Sequence, residues 1–158
     1  MIKPKIYLDT SVISHLMADD APEKRSDTHI LWDQLLQEEF EIIVSPVVYE
    51  EIGKCGDELE NELLRYLNIL NVTPVAETAE TLSLANTYLS TGVMPSRTKN
   101  DCRHIAIASI YGCRYILSWN MKHFVKRKTI EMVQKVNGRI GITQPNIITP
   151  TIFIEGDE

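Results

Sequence analysis

Short apolar runs alternate along this chain with longer segments in which apolar side chains recur at helical spacing. Residues 6–8, 42–44 and 115–117 are runs of three apolar residues rich in β-branched and aromatic side chains, and such runs are typical of buried strands. Residues 70–75 predict another short strand, placed around Pro74. The pattern therefore predicts a sheet built from short, buried strands.

Apolar positions three or four residues apart predict helices between these strands. The predicted helices cover residues 28–39, 57–69, 77–89, 101–111 and 121–136, and another begins at Pro46 and ends near Gly53 or Gly56. The segment 101–111 is apolar nearly all round, which indicates a buried helix, whereas 121–136 is amphipathic and basic. Ser45 and Pro46 suit the N-cap and the first position of a helix. The polar stretch 18–27 predicts a loop.

Strands separated by helices predict βαβ units, and hence a parallel sheet with right-handed crossovers. The chain has 158 residues, of which 44% are hydrophobic and 24% charged, and these values fit one ordinary globular domain. We therefore expect an α/β fold, a single-domain, three-layer α/β/α arrangement around a central, mainly parallel sheet. The domain would span residues 1–158, with 145–158 as an edge segment or a tail.

Composition disfavours several classes of protein. Cys55, Cys102 and Cys113 are an odd number of cysteines without C-x-x-C spacing, so they predict reduced thiols rather than a disulfide framework or a zinc site. The amino terminus has no apolar signal-peptide region, and no apolar run approaches the roughly 18 residues of a membrane span. These features predict a soluble, cytoplasmic protein without a membrane partner.

The net charge of −6 conceals an uneven distribution. Residues 97–139 contain ten basic and two acidic residues, whereas the rest of the chain contains six basic and twenty acidic residues. A local basic face attracts phosphate even on an acidic protein, so the sequence is compatible with a nucleic-acid partner. The alternative is a solvated basic helix face beside acidic ones.

Acidic or amide side chains stand where apolar runs end or helices begin. They are Asp9, Glu51, Asp101 and Asn120. Each is ordinary when taken alone, because Asp and Asn often cap or begin helices and a helical Glu usually faces solvent. The carboxyl ends of parallel strands, however, meet at one edge of a sheet, so these side chains can converge there. Oxygen ligands gathered in this way suit Mg²⁺.

Four segments taken together resemble the PIN-domain (PilT N-terminus) nucleases, which include toxins of bacterial toxin–antitoxin systems. The segments are YLDTSVIS, VSPVVYEEI, DCRHIAIASIYGCRYILSWNMKHF and NIITPTIF, and they span nearly the whole chain. The second segment resembles the family's strand-to-helix segment, whose acid lies six residues after the Ser, and this selects Glu51 over Glu50. The family's fourth acidic position is commonly Asp, whereas this chain has Asn120.

The resemblance implies a PIN-like fold and a metal-dependent endoribonuclease, acting as the toxin of a type II toxin–antitoxin system. It implies that Asp9, Glu51 and Asp101 are catalytic residues that hold Mg²⁺ or Mn²⁺. Asn120 would be the fourth catalytic residue and would orient a water or a ligand. The implied partners are RNA, a separate antitoxin protein and a second copy of the chain in a homodimer.

Other side chains would support this chemistry. Ser11 and Ser118 lie near the first and last core strands and can donate hydrogen bonds to the ligands, or serve as local caps. Basic side chains around the proposed site can bind a phosphate backbone without sequence specificity. They are Arg97, Lys99, Lys122, His123, Lys126, Arg127 and Lys128. His104 follows Asp101 at helical spacing, but a lone His on a buried helix is more often a hydrogen-bonded core residue than a metal ligand.

Two other functions fit parts of the pattern. A catalytically weak nucleic-acid or nucleotide-binding module on the same fold would account for the neutral Asn120 and the basic segment. A receiver-like phosphoacceptor would need paired acids early in the chain and a Lys after a late strand. Because Asp19 and Asp20 lie in a predicted loop, the sequence disfavours this last possibility.

Overall fold

Five strands form one sheet in the computed structural model, which describes residues 2–37 and 39–156. The strands are β1 (Lys5–Leu8), β2 (Glu41–Val44), β3 (Thr73–Pro74), β4 (Tyr115–Leu117) and β5 (Asn146–Ile148). Their order is β3-β2-β1-β4-β5, and each neighbouring pair is parallel. The expected α/β class with a central parallel sheet is therefore confirmed.

Helices connect and cover these strands. They are α1 (Thr10–Ser14), α2 (Pro22–Gln37), α3 (Pro46–Ile52), α4 (Asp57–Leu70), α5 (Ala79–Ser90), α6 (Lys99–Ile110), α7 (Arg127–Ile140) and α8 (Pro150–Ile154). Short 3-10 turns lie at His15–Met17 and Ser96–Thr98. Within the described part of the chain, no helix combines the length and the apolar content that crossing a membrane requires.

The core lies on both faces of the sheet because successive strand residues point to opposite sides. Tyr7 and Ile43 pack in a cluster with buried residues of α5, α6 and α7. Leu8 and Val44, each one residue further along, pack in a second cluster with α1, α2 and α4. The expected three-layer α/β/α arrangement is confirmed.

The start of α2 differs from the prediction. This helix begins at Pro22, so the prediction of a loop over residues 18–27 is wrong for its second part. The polar composition of this stretch suggested a loop, but proline is favoured at the first position of a helix because its missing N–H has no partner there in any case. The Thr28 hydroxyl, fully buried, also donates to the Lys24 carbonyl at 2.6 Å within this extended helix.

The helix predicted over 121–136 also begins later, at Arg127. Residues 121–126 instead form a turn in which the Asn120 carbonyl accepts hydrogen bonds from the N–H groups of Phe124 and Val125, at 3.0 Å each. Phe124 is fully buried, and placing its ring in the core requires the chain to turn before the helix starts. This turn displaces the basic side chains at 122 and 126 from the helix.

The carboxyl-terminal segment completes one edge of the sheet. Its strand β5 pairs with β4, and the following helix α8 packs beside α2. Phe153 of α8 meets the rings of Phe40 and Tyr115 edge-on, with centroids 5.7 and 5.5 Å apart. The described residues of this segment are therefore packed against the sheet and its helices.

Candidate active site

The four expected site residues lie at the carboxyl-terminal edge of the sheet. Asp9 follows β1 directly, and Glu51 lies on α3, the helix that follows β2. Asp101 occupies the first turn of α6, and Asn120 lies three residues after the end of β4. Since β1, β2 and β4 are parallel neighbours, this edge is one continuous surface.

Two serine hydroxyls hold the buried carboxylate of Asp9. Ser11 Oγ and Ser118 Oγ both donate to Asp9 Oδ2, at 2.6 and 2.8 Å. The same hydroxyl oxygens accept hydrogen bonds from the backbone N–H groups of Trp119 and Asn120, at 2.9 Å each. Because the backbone occupies the accepting side of each hydroxyl, its hydrogen is directed at Asp9. The other carboxylate oxygen, Oδ1, lies 3.5 Å from His104 Nε2.

Glu51 is held from two sides through one oxygen. Thr10 Oγ1 and His104 Nε2 lie 2.6 and 2.7 Å from Glu51 Oε1, and the side chain is 28% exposed. Burial tends to raise the pKa of Glu51, but the hydrogen bond and charge of His104, with hydrogen bonds from Thr10 and Asn100, hold it below the ordinary value. Glu51 is therefore an ionised carboxylate fixed at the sheet edge.

The neighbouring Glu50 points away from this group. It bonds to Arg103, whose Nη2 lies 3.1 Å from Glu50 Oε2 and 2.6 Å from Glu77 Oε1. Its side chain is 52% exposed. The structure thus places Glu51, rather than Glu50, beside Asp9.

His104 lies at this site, although its position on a buried helix favoured a hydrogen-bonded core residue over a metal ligand. It is fully buried in α6, with Nε2 at 2.7 Å from Glu51 Oε1 and 3.5 Å from Asp9 Oδ1. Its other ring nitrogen bonds to the hydroxyl of Tyr7. Burial lowers the pKa of His104, but the bond to Glu51 and the surrounding carboxylate charges raise it above the ordinary value. The D-x-x-H spacing after Asp101 was the available signal, because it places both residues on one helical face.

Asp101 lies within electrostatic range of this group. Burial raises its pKa to about 7, and the charge of Asp9, followed by that of Glu51, acts in the same direction against the opposing effect of His104. Ligand atoms of Asp9, Glu51 and His104 lie within 4.8 Å of one another, and Asp101 does not belong to this tighter group. The structure therefore brings Asp9 and Glu51 together, and it places Asp101 close enough for both charges to affect its pKa.

The donor set fits a hard divalent cation. Carboxylate oxygens are the protein ligands that Mg²⁺ and Mn²⁺ prefer, and Asp9 Oδ1 accepts no hydrogen bond from the two serines that hold Oδ2. Repulsion from Asp9 and Glu51 contributes to the raised pKa of Asp101. The opposing effect of His104 therefore does not fully offset the negative charge of the carboxylates. A cation bound among the three carboxylates would remove this repulsion.

Asn120 uses its side-chain oxygen to shape the turn after β4. Its Oδ1 accepts a hydrogen bond from the backbone N–H of His123 at 3.0 Å, and its own N–H donates to Ser118 Oγ. The amide carries no charge, so it adds no electrostatic attraction for a cation. Its observed contacts are those of a turn cap that also orients a serine bound to Asp9.

Four of the expected nucleic-acid-binding residues line one groove. This basic groove has a volume of about 390 Å³, and its polar walls include Arg97, Lys122, His123 and Lys126. Partial burial lowers the pKa of His123, and the positive charges of Arg97, Lys126 and Lys122 add to this effect. The groove is therefore electropositive, and the Asn120 turn connects it to the carboxylates.

The other three basic residues lie outside the basic groove. Lys99 is exposed at the first position of α6. Arg127 Nε donates to Glu131 Oε2 at 3.2 Å, and Lys128 lines a separate groove along α7. All three are exposed, but the structure does not bring them together with the other four.

Comparison with known proteins places these features in a family. The model of the family described as "PIN domain" matches residues 6–124. No curated protein sequence gives a significant match.

Two solved structures share the fold at low sequence identity. The structure of Mycobacterium tuberculosis VapC20, a sarcin-ricin loop cleaving toxin, has 17% identity and a TM-score of 0.59, covering 74% of this chain and 91% of its own. VapBC2 from Rickettsia felis, bound to a DNA fragment from its promoter, has 11% identity and a TM-score of 0.53, covering 92% and 98%. The family match covers most of the chain, and it includes Asp9, Glu51, Asp101 and Asn120. The chain belongs to the PIN-domain family.

Proposed function

We propose that this PIN-domain protein is a metal-dependent endoribonuclease that hydrolyses phosphodiester bonds in RNA. The observation that carries the proposal is the convergence of Asp9 and Glu51 on His104, beside an Asp101 whose pKa is raised to about 7 by burial and by the charges of Asp9 and Glu51. A buried excess of negative charge is costly unless it binds a cation. This group of carboxylates contributes nothing to the packing of the apolar core.

Mg²⁺ or Mn²⁺ would be held by Asp9, Glu51 and Asp101. When bound, such a cation supplies an activated water and neutralises the phosphate. The serines on Asp9 Oδ2 leave Oδ1 as the ligand atom, and Thr10 fixes Glu51. Asn120 would hold the turn that carries part of the basic groove and orient a water or a ligand beside the carboxylates.

The basic groove would bind the RNA backbone. Lysine and arginine contacts to phosphate give affinity that depends on salt and not on base sequence. Lys99, Arg127 and Lys128 are exposed and would extend this contact beyond the groove. Positioning a phosphate in this way delivers the scissile bond to the carboxylates without specifying which RNA is cut.

We further propose that the protein is the toxin of a type II toxin–antitoxin system. VapC20 is a toxin that cleaves the sarcin-ricin loop, and VapBC2 was solved on a promoter fragment. As the resemblance to PIN-domain toxins implies, this chain would bind a separate antitoxin protein and form a homodimer, and it would act in the cytoplasm. Residues 1–158 would constitute one domain.

Substitution of two carboxylates tests the nuclease proposal. Asp9→Asn and Asp101→Asn should each abolish cleavage of RNA in Mg²⁺ or Mn²⁺, while circular dichroism shows that both variants remain folded. Glu50→Gln is the matched control, because Glu50 neighbours Glu51 but bonds to Arg103 away from the site. Cleavage that survives both substitutions and EDTA would refute the proposal.

A catalytically weak nucleic-acid-binding module is the second candidate. The observation that favours it is Asn120, whose neutral side chain already bonds to the His123 backbone. Three carboxylates would then bind one cation, and without a fourth acidic ligand the protein would cleave RNA slowly or not at all. Salt-sensitive binding of RNA, with no cleavage in Mn²⁺ by the unaltered protein, would support this function over the first.

A further inference from the structure

A buried chain of hydrogen bonds runs from the core to Glu51. Ser45 Oγ lies 2.7 Å from the hydroxyl of Tyr7, which bonds in turn to His104 Nδ1. His104 Nε2 continues the chain to Glu51 Oε1 at 2.7 Å. Ser45, Tyr7 and His104 are all fully buried. The proposed chemistry uses only the last member of this chain, so the purpose of the other three needs an explanation.

The direction of the last bond follows from hydrogen-bond chemistry. An ionised carboxylate can only accept, so His104 Nε2 must carry the hydrogen that it shares with Glu51. The Nδ1 atom then faces a hydroxyl that can either donate or accept. Tyr7 therefore fits both the neutral ring and the protonated ring, while Nε2 keeps its hydrogen in each case.

Tyr7 lies in the middle of the sheet, where a hydroxyl is unusual. It is fully buried in β1, the central strand between β2 and β4, and its side chain reaches α6. Burying a hydroxyl among apolar side chains costs free energy unless it is hydrogen-bonded. Phenylalanine would fill the same space without that requirement, so the hydroxyl is best explained by what it holds.

We propose that Tyr7 is a positioning residue, which acts through the imidazole of His104 to keep Glu51 oriented for binding a divalent cation. The inference rests on the proposed metal site. Glu51 lies on α3, a helix of seven residues, and its side chain is partly exposed, so with Thr10 but not His104 as a partner it would sample more rotamers than with both. With its two ring nitrogens bonded, His104 cannot rotate without breaking both bonds. The ring supports the ligand without itself becoming one.

The test compares two buried tyrosines. Tyr7→Phe removes the hydroxyl at the site, whereas Tyr88→Phe removes an equally buried hydroxyl that bonds to Asn137 and Ser109 in the α5–α7 layer. Partners of metal ligands typically change metal affinity by about 10–100-fold when they are removed. Tyr7 acts through such a partner, His104, so we expect the Kd for Mn²⁺, measured by isothermal titration calorimetry, to rise about 10-fold in Tyr7→Phe, the lower end of that range, and to stay unchanged in Tyr88→Phe.

Nitrogen NMR gives a second readout that does not depend on cleavage. With ¹⁵N-labelled protein, His104 Nε2 should carry a hydrogen both without metal and in saturating Mg²⁺. In Tyr7→Phe the Nε2–H signal should broaden or exchange faster, because the ring has lost its other anchor. A coordinated Nε2 without hydrogen in Mg²⁺ would make His104 a ligand and would overturn the inference.

The remaining outcomes separate the inference from the proposed function. Equal Mn²⁺ affinity in the unaltered protein, Tyr7→Phe and Tyr88→Phe would overturn the role of Tyr7 and leave the metal site standing. Absence of Mn²⁺ binding by the unaltered protein would overturn the metal site itself, and the inference with it. If Tyr7→Phe does not fold, His104→Gln replaces it, since the amide can donate to Glu51 but lacks the bond to Tyr7. The same loss of affinity is then expected, and an unchanged Kd would overturn the inference.

Discussion

Asp101→Asn should stabilise the metal-free protein at neutral and alkaline pH while it removes the proposed activity. Burial and the charges of Asp9 and Glu51 raise the pKa of Asp101 from 3.8 to about 7. The folded protein therefore binds this proton more tightly than the unfolded chain does. The stability that the protonated carboxyl contributes is complete below pH 3.8 and is lost as the pH rises through about 7.

The size of the effect follows from that difference in pKa. Each pH unit between the two values corresponds to about 1.36 kcal/mol, so the full difference is about 4 kcal/mol. Water has partial access to Asp101, and neighbouring groups adjust their ionisation when its charge changes. We therefore expect about half of this value, near 2 kcal/mol, as the advantage of Asp101→Asn at pH 8 over its advantage at pH 4.

Urea unfolding followed by circular dichroism in EDTA measures this advantage at each pH. Asp57→Asn is the matched control, because Asp57 also lies in the first turn of a helix but is exposed. Added Mg²⁺ should then stabilise the unaltered protein, by about 2.7 kcal/mol at one hundred times its Kd, and should have less effect on Asp101→Asn. An advantage that is absent at pH 8, or equal at both pH values, would refute the reasoning that Asp101 carries buried, uncompensated charge.

Two further predictions concern the basic groove and the turn after β4. Lys122→Ala and Lys126→Ala should each weaken binding of single-stranded RNA and reduce the salt slope by about one, as measured by fluorescence anisotropy at several KCl concentrations. Lys3→Ala, an exposed residue before β1 at the opposite edge of the sheet, should change neither quantity. An unchanged slope in both groove variants would exclude the groove as the phosphate contact. Asn120→Asp keeps an acceptor for the His123 N–H and adds a fourth negative charge, so it should tighten Mn²⁺ binding and raise the cleavage rate. Unchanged Mn²⁺ affinity would restrict Asn120 to its structural contacts.

The centre of the sheet could be predicted from the sequence because β1, β2 and β4 each contain a short, continuous apolar run. Both residues of the pair Leu8 and Leu117 in the β1–β4 register come from such runs, and each run is followed closely by a predicted site residue. Glu51 could be distinguished from Glu50 only through the resemblance to a family, since both are helical glutamates. The structure supplies the physical difference, because Arg103 engages Glu50.

His104 could not be assigned from the sequence because two environments meet at its ring. One nitrogen bonds to a core tyrosine and the other to an acidic residue of the site. A pattern of apolar neighbours predicts the first environment but carries no information about the second, which depends on α3 lying opposite α6. The late start of α7 has a similar cause, since the burial of Phe124 depends on packing between distant segments.

The orientation of Asp9 derives from the register of the sheet. Asp9 N–H donates to the Leu117 carbonyl at 3.1 Å, which places Ser118 beside the Asp9 carboxylate. The backbone N–H groups of Trp119 and Asn120 then donate to the two serine hydroxyls, and this orients the hydroxyls toward Asp9 Oδ2. A shift of one residue between β1 and β4 would turn Ser118 to the other face of the sheet, and Asp9 would lose this donor. The Oδ1 atom of Asp9 is therefore positioned by strand pairing, and Tyr7 on the same strand is connected through His104 to Glu51.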